Sequence, residues 1–488
     1  AKNKVYFGEL KLDLPQDYDI NNFTTINNLF NDIEGTTYSL NKIKDILDDI
    51  DNIVLTEQFE SINASVEEDL IENKLNLKFI ISETDKKFVE RINVLGNNVT
   101  VETVIRNQLL IDEGDPFNDI LTTKSTNNIK SLNLFKSVNT EIIDGSTPDS
   151  KIINITVEEK PTGEIMAGAG FGTSGSTFMA GIKENNFLGK GISLDSNINL
   201  STESIKGLFT IENKNYKNSD KSIFFTIEAS ETDRLTDSGY KFNKTGFEVG
   251  SRFEYFDDFF LRIGTSNYYE RIDTDNTASA RQQAQEGDYI DSFLQVGGTY
   301  DKRNQRYQTT DGFLSSYKLD LPLISDTYSL LNSYRYVFYT ELFENNISSF
   351  SLSLKSAHSL KDEDIKLSER IRIPQSLLRG FEFGKVGPKD GDDFIGGNYM
   401  SALNFTTTIP QILENSQNTD FLFFMDIANV WGVDYDKALD DNKVKSSIGI
   451  ALDWFSPVGP MNFSLAQPIT KSSSDVTESF RFNLGTTF

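Results

Sequence analysis

Cysteine is missing from all 488 residues, and histidine occurs once, as His358. The first absence excludes a disulfide framework, a thiolate metal site and a thiol nucleophile. The second excludes a multi-histidine metal centre. No apolar run approaches the ~18–20 residues that a membrane-spanning helix needs. Positive charge is scarce as well, and the net charge of −26 leaves no clustered Lys and Arg to meet a nucleic-acid backbone. The opening Ala1-Lys2-Asn3-Lys4 lacks an apolar signal core, so the sequence reads as mature or trimmed, a reading compatible with export.

Against these absences stand 37 Phe and 18 Tyr in a chain only 38% hydrophobic. Polar on average yet rich in aromatics is the composition of a transmembrane β-barrel, in which every second residue meets lipid. From Thr162 onward the pattern has period two. Phe247, Val249, Phe253 and Tyr255 alternate with Glu248, Gly250, Arg252 and Glu254, and Ile448, Ile450, Leu452 and Trp454 alternate with Ser447, Gly449, Ala451 and Asp453. Tight connections such as Phe256-Asp257-Asp258 and Ser456-Pro457-Val458-Gly459 take turns with long polar ones at 270–288, 358–397 and 432–444. A soluble sandwich would alternate too, but it would keep its turns short at both ends. The pattern predicts an antiparallel barrel of sixteen strands, beginning at 162–172 and ending at 478–488. The last strand presents Phe480, Phe482, Leu484 and Phe488 on one face.

The first 160 residues have another character. A strand, two stretches with helical spacing and two further strands occur twice. The junction Glu34-Gly35-Thr36-Thr37-Tyr38-Ser39 recurs as Glu113-Gly114-Asp115-Pro116-Phe117-Asn118. In each copy a Gly can end one helix and a polar residue can open the next. A repeat of this length indicates two copies of one small domain. Their β-α-α-β-β order resembles the polypeptide-transport-associated (POTRA) domain, more closely in the second copy, which carries Gly96-Asn97 after its opening strand. The fold class is therefore α+β POTRA domains followed by an all-β antiparallel transmembrane barrel. The expected domains are 1–84, 85–160 and 161–488. Glu113 and Asp115 are candidates for a charged partner contact; the plainer reading is that they cap the helix beginning near Asn118.

Two features of the barrel sequence carry function. Leu378, Arg379, Gly380 and Phe381 lie in the 358–397 insert, which interrupts the strand series; long inserts of this kind usually do more than connect. An Arg in a confined loop needs a carboxylate, and Asp426 stands in the middle of the apolar Phe423-Phe424-Met425-Asp426-Ile427. The second feature is the first strand, where Gly163, Gly168, Gly170 and Gly172 give little side chain to pack. Its seam with the last strand should be weak and able to open sideways. Alternatively, the glycines make room for the loop; both can hold.

Taken with Asn186-Phe187-Leu188-Gly189, Gly387-Pro388-Lys389, Gly396-Gly397-Asn398 and Trp454-Phe455-Ser456-Pro457-Val458-Gly459-Pro460, these motifs resemble the BamA family over about residues 88–488. That family forms the central subunits of the bacterial outer-membrane β-barrel assembly machinery. The resemblance implies folding and insertion of client barrels without enzymatic chemistry, metal or cofactor. It implies unfolded outer-membrane clients, accessory lipoproteins and outer-membrane lipid as partners, and POTRA domains in the periplasm. It also implies a loop folded back into the lumen, with its Arg on two wall acids. Asp426 matches one of these, whereas the other position is Asn404, which predicts a weaker clamp or another recruited acid. Bacterial relatives usually have about five POTRA domains, so two indicate trimming or a short lineage. The rival reading is a two-partner secretion transporter, which exports unfolded protein through a similar sixteen-stranded barrel. A passive porin fits poorly with two soluble domains and a plugging loop. A hydrolase would have to use His358 beside Ser356 and Ser359, a pairing more often coincidental.

Overall fold

The computed structural model describes residues 6–15, 20–36, 46, 49–50, 53, 62–71, 74–83, 87–173, 175–219, 221–305, 309–343, 346–409, 419–440, 442–456 and 459–485. They form two compact units, Ala1–Thr162 with Leu188–Lys190, and Gly163–Phe187 with Gly191–Phe488.

The first unit contains the repeated domain. Its first copy has β1 (Tyr6–Asp13), α1 (Thr24–Ile33), β2 (Ile62–Ile71) and β3 (Lys74–Glu83). The second has β4 (Phe88–Leu95), α2 (Glu102–Arg106), α3 (Asp119–Ser131), β5 (Phe135–Asp144) and β6 (Ser150–Glu159). Both sheets place the last strand in the centre, in the orders β1-β3-β2 and β4-β6-β5, with the opening strand parallel to it. This shared topology explains the shared apolar pattern. Ile26, Phe30 and Ile33 form one face of α1 and are buried against β3, where Phe30 stacks on Phe79 at 5.4 Å. In the second copy Ile105 and Ile129 close over Val89, Ile92, Ile153 and Ile155. Helix α2 is shorter than the 101–110 periodicity predicts. Its end tightens into three-residue turns, and Leu110 N donates to Ser125 Oγ at 2.8 Å.

The second unit is a closed antiparallel barrel of sixteen strands. They are β7 (Gly163–Gly172), β8 (Gly175–Phe187), β9 (Ile192–Ser201), β10 (Ser204–Asn213), β11 (Ser222–Arg234), β12 (Tyr240–Phe256), β13 (Phe259–Thr274), β14 (Gly287–Asp301), β15 (Gly312–Ile324), β16 (Ser329–Thr340) and β17 (Ser348–Ser359). After the small hairpin β18 (Lys389–Asp390) and β19 (Asp393–Phe394) come β20 (Tyr399–Thr408), β21 (Thr419–Trp431), β22 (Lys445–Ser456), β23 (Gly459–Thr470) and β24 (Phe480–Gly485). The number matches the sequence pattern. Strands β13 and β14 run further than the alternation indicates, so the 270–288 connection shrinks to 275–286.

Alternation sorts the two faces. Ile165, Ile182, Ile198, Ile205, Phe247, Ile263, Ile290 and Leu465 project outward and are exposed. A protein surrounded by water rarely shows so much contiguous apolar surface, whereas a barrel in lipid requires it. The inward face carries ion pairs such as Lys206–Glu228 at 2.9 Å and Arg252–Glu212 at 3.4 Å.

Candidate functional site

The 360–398 connection seats its Leu-Arg-Gly-Phe motif against the barrel wall. Leu378 and Phe381, 2% and 1% exposed, pack with Met400 and Ala402 of β20 and Ala428 and Val430 of β21. Between these apolar anchors, Arg379 meets Asp426, which is fully buried. Nε donates to Oδ2 at 2.8 Å, Nη2 to Oδ1 at 2.7 Å, and the Arg379 backbone N–H also reaches Oδ2 at 3.0 Å. A planar guanidinium against a planar carboxylate is the strongest geometry for such a pair. The Arg379 guanidinium also lies 3.6 Å from the centre of the Phe424 ring. Gly380 has φ +89°, and a Cβ there would stand 3.0 Å from the Ala466 Cβ, so both backbone and space ask for glycine.

Asn404 stands where the resemblance places a second acid, and it meets the loop in another way. It is the register partner of Asp426 on β20, and its amide donates to Asp426 Oδ1 and to Leu377 O, each at 2.8 Å. Asn404 thus holds the carboxylate in place and ties the loop backbone to the wall. An acid at this position would face Asp426 instead of assisting it, because a carboxylate has no hydrogen to donate. The clamp consists of one acid oriented by an amide. Ser447 of β22 adds a hydroxyl, which donates to Arg379 O at 2.5 Å.

The rest of the motif is bound to the run entering the last strand. Glu478 N donates to Gly380 O at 3.0 Å, Glu382 N donates to Val476 O at 3.0 Å, and Phe381 bridges Thr477 antiparallel. Arg481 of β24 is buried and reaches inward, its Nη2 donating to Phe381 O at 2.7 Å and to Glu478 Oε2 at 2.7 Å. Sequence reading passed over Arg481, since a charge at an inward position of a barrel strand looks like lumen lining. A second anchor was missed for a similar reason. Lys366 is buried between Glu270 at 3.1 Å and Glu369 at 3.3 Å, with Asp291 also bonded, while Arg370 pairs with Asp434. In the sequence these are ordinary loop charges.

The seam closes where β24 meets β7. Among the described residues three pairs make it, Asn483 with Gly172, Leu484 with Phe171 and Gly485 with Gly170. On the other side of β7, ten pairs join it to β8. The four glycines divide between faces. Gly168, Gly170 and Gly172 share the inward face with Met166, whereas Gly163 lies on the outward face with Ile165 and Phe171. Gly485 has φ +102°, and a Cβ there would fall 2.2 Å from Ala169 O. Phe480, Phe482 and Leu484 alternate with the inward Arg481 and Asn483. Phe488 lies outside the described residues.

In the first unit, Glu113 and Asp115 are exposed, but their carboxylates are engaged nearby. Glu113 Oε1 accepts from Ile92 N at 3.0 Å and Asp115 Oδ2 from Asp112 N at 2.8 Å. Neither caps α3, because Asn118 does so itself, accepting from Ile120 N and Leu121 N. His358 is exposed on β17, while Ser359 donates to Thr327 O and Ser356 accepts from Asn332, so no serine–histidine pair assembles there.

Comparison with known proteins agrees with this architecture. The POTRA family, described as a surface antigen variable number repeat, matches residues 88–160. The outer membrane protein assembly factor BamA of Neorickettsia risticii is 24% identical over 431 residues; the alignment covers 85% of this chain and 57% of the relative, so the chain spans little more than half of that protein. The crystal structure of BamA from Haemophilus ducreyi lacking POTRA domains 1–3 has a TM-score of 0.75 at 22% identity, with 99% of both chains covered, which establishes a shared fold. CdiB from Acinetobacter baumannii has a more distant likeness, with a TM-score of 0.53, 14% identity, and 100% of this chain and 91% of that one covered. The Omp85 superfamily domain matches residues 186–488, more than half of the sequence, and the chain belongs to the Omp85 superfamily.

Proposed function

We propose that this protein folds and inserts outer-membrane β-barrel proteins as the core subunit of their assembly machinery, by opening sideways between β24 and β7. The barrel then sits in the bacterial outer membrane, with the POTRA domains in the periplasm. The observation that carries the mechanism is the seam, in which the described residues make three pairs beside the ten that join β7 to β8. In hydrocarbon an unpaired strand edge is costly, so an opened seam is a template that an incoming strand completes. The POTRA sheets leave β1, β2, β4 and β5 as edges, where unfolded clients can add as extra strands. Accessory lipoproteins and outer-membrane lipid complete the partner set, with Glu113 and Asp115 as surface contacts for the lipoproteins. Likeness to BamA relatives and the Arg379–Asp426 clamp support this reading.

The absence of native cysteine allows a clean test. Phe171 and Leu484 are register partners across the seam, within the Cα separation that a disulfide tolerates. The Phe171→Cys/Leu484→Cys variant, oxidised in lipid vesicles, should stop insertion of a small client barrel and recover it on reduction. Continued insertion by the verified cross-linked form would refute lateral opening. The second reading, a two-partner secretion transporter, rests on the fold shared with CdiB. A transporter of that kind would pass its cargo through the lumen with the same lock in place.

A further inference from the structure

We infer that Arg481 is a positioning residue that latches the luminal loop to the closing strand, so that seating of the loop and closure of the seam are one event. This rests on the lateral-opening reading above. The Leu378–Phe381 motif has two sets of anchors. Leu378 and Arg379 are held by β20, β21 and β22, strands bound to their neighbours by long ladders. Gly380, Phe381 and Glu382 are held by residues 476–478, which lead into β24, and by Arg481 of β24, the strand with the shortest ladder among the described residues.

The geometry makes the second set a unit. Arg481 is 5% exposed. Its guanidinium donates to Glu478 through Nε at 3.1 Å and Nη2 at 2.7 Å, to Phe381 O through Nη2 at 2.7 Å, and to Gln375 O through Nη1 at 3.4 Å. Glu478 therefore fixes the fork, and the fork grips loop carbonyls on either side of Arg379. Around it, the pairs Glu478–Gly380 and Glu382–Val476 continue the ladder of β24 into the loop, followed by Val476 N donating to Lys385 O at 3.1 Å. Among the described residues, strand β24 has five pairs to β23 and three to β7, and the loop is a further partner. Sliding or swinging β24 away from β7 has to break these bonds or drag the loop with it. A buried guanidinium separated from its carbonyls would lose its hydrogen bonds without gaining water, which makes the seated state cooperative.

The test uses the full chain in lipid vesicles with two readouts that need no client. Spin labels at Phe171→Cys and Leu484→Cys report the seam distance, and in a separate variant the alkylation rate of Phe383→Cys reports loop seating. Arg481→Ala should broaden the seam distances and at the same time speed loop alkylation by about tenfold, as expected for losing hydrogen bonds to a charged group. Arg481→Lys, which keeps one donor for Phe381 O, should recover part of both effects. Glu478→Gln, a milder change, should shift both in the same direction by less, and it serves if Arg481→Ala does not assemble. A change in one readout without the other, or in neither, overturns the latch. Failure of the unmodified protein to insert clients would overturn the assembly function and leave both latch readouts standing.

Discussion

Two places in the barrel wall are built on opposite principles. Between β12 and β13 sixteen residue pairs follow one another with a single irregularity at the rim. Between β24 and β7 the described residues make three. Each ladder hydrogen bond is worth about 4–6 kcal/mol in an apolar medium, so in lipid the first junction cannot be parted. On the proposed mechanism, the second is within reach of a compensating strand. The comparison teaches where the motif obtains its rigidity and its freedom. Arg379 is bolted to the well-laddered β20–β22 side, whereas Phe381 is tied to the weak edge.

The largest effect should come from the rigid side. Asp426→Ala leaves the Arg379 guanidinium without its carboxylate. Breaking a buried pair costs about 3–5 kcal/mol, and less here because the Arg379 side chain is 18% exposed. The loop should become sensitive to protease and, through Arg481, the seam should loosen with it, while the other ladders of the wall hold. The Arg379→Ala/Asp426→Ala double variant should be no worse than either single change; additive losses would count against direct coupling.

The next effect sharpens the contrast at the seam. Gly485→Ala puts a Cβ on a backbone with φ +102° and against Ala169 O, a strain of about 1–3 kcal/mol. It should raise the rate of seam opening, read as faster hydrogen exchange at 170–172. The control is Gly207→Ala in β10, whose added Cβ would meet Ala229 O at an easy 3.8 Å and should change nothing at the seam.

Asn404→Leu removes a donor from Asp426 and from Leu377 O, at a cost of about 1–3 kcal/mol. Asn404→Asp should loosen the loop at least as much, since two carboxylates would then face one another. Tighter protease protection in Asn404→Asp would show that the acid recruits Arg379 instead.

The smallest effect lies in the soluble unit and leaves the barrel untouched. Glu90 is held below its ordinary value of 4.5, first by the Ser146 N–H and then by the Ser146 and Ser150 side chains. A depressed carboxyl contributes stability above its unfolded value and loses it as pH falls through the folded one. Protection of the 145–150 turn should therefore fade below about pH 4.5, and Glu90→Gln should abolish that pH dependence.

The sequence disclosed the barrel because lipid imposes period two on every strand, and the repeated sheet topology of the first unit because two copies of one core need the same apolar spacing. Arg379 and Asp426 were legible for a related reason: a lone acid within Phe423–Ile427 has no other explanation. Asn404 was legible as a position but not as a donor, since an amide presents both chemistries and only its neighbours select one. Arg481 and Lys366 were hidden because charge alone does not reveal burial. Ladder length at the seam was hidden as well, because register depends on both strands at once.

The central claim, that the seam is the wall's weak junction, is tested most directly by hydrogen exchange of the closed barrel in lipid without any client. The amides of 170–172 and 483–485 should exchange faster by orders of magnitude than those of 244–250 and 263–269 in β12 and β13. Equal protection at both junctions would contradict the account.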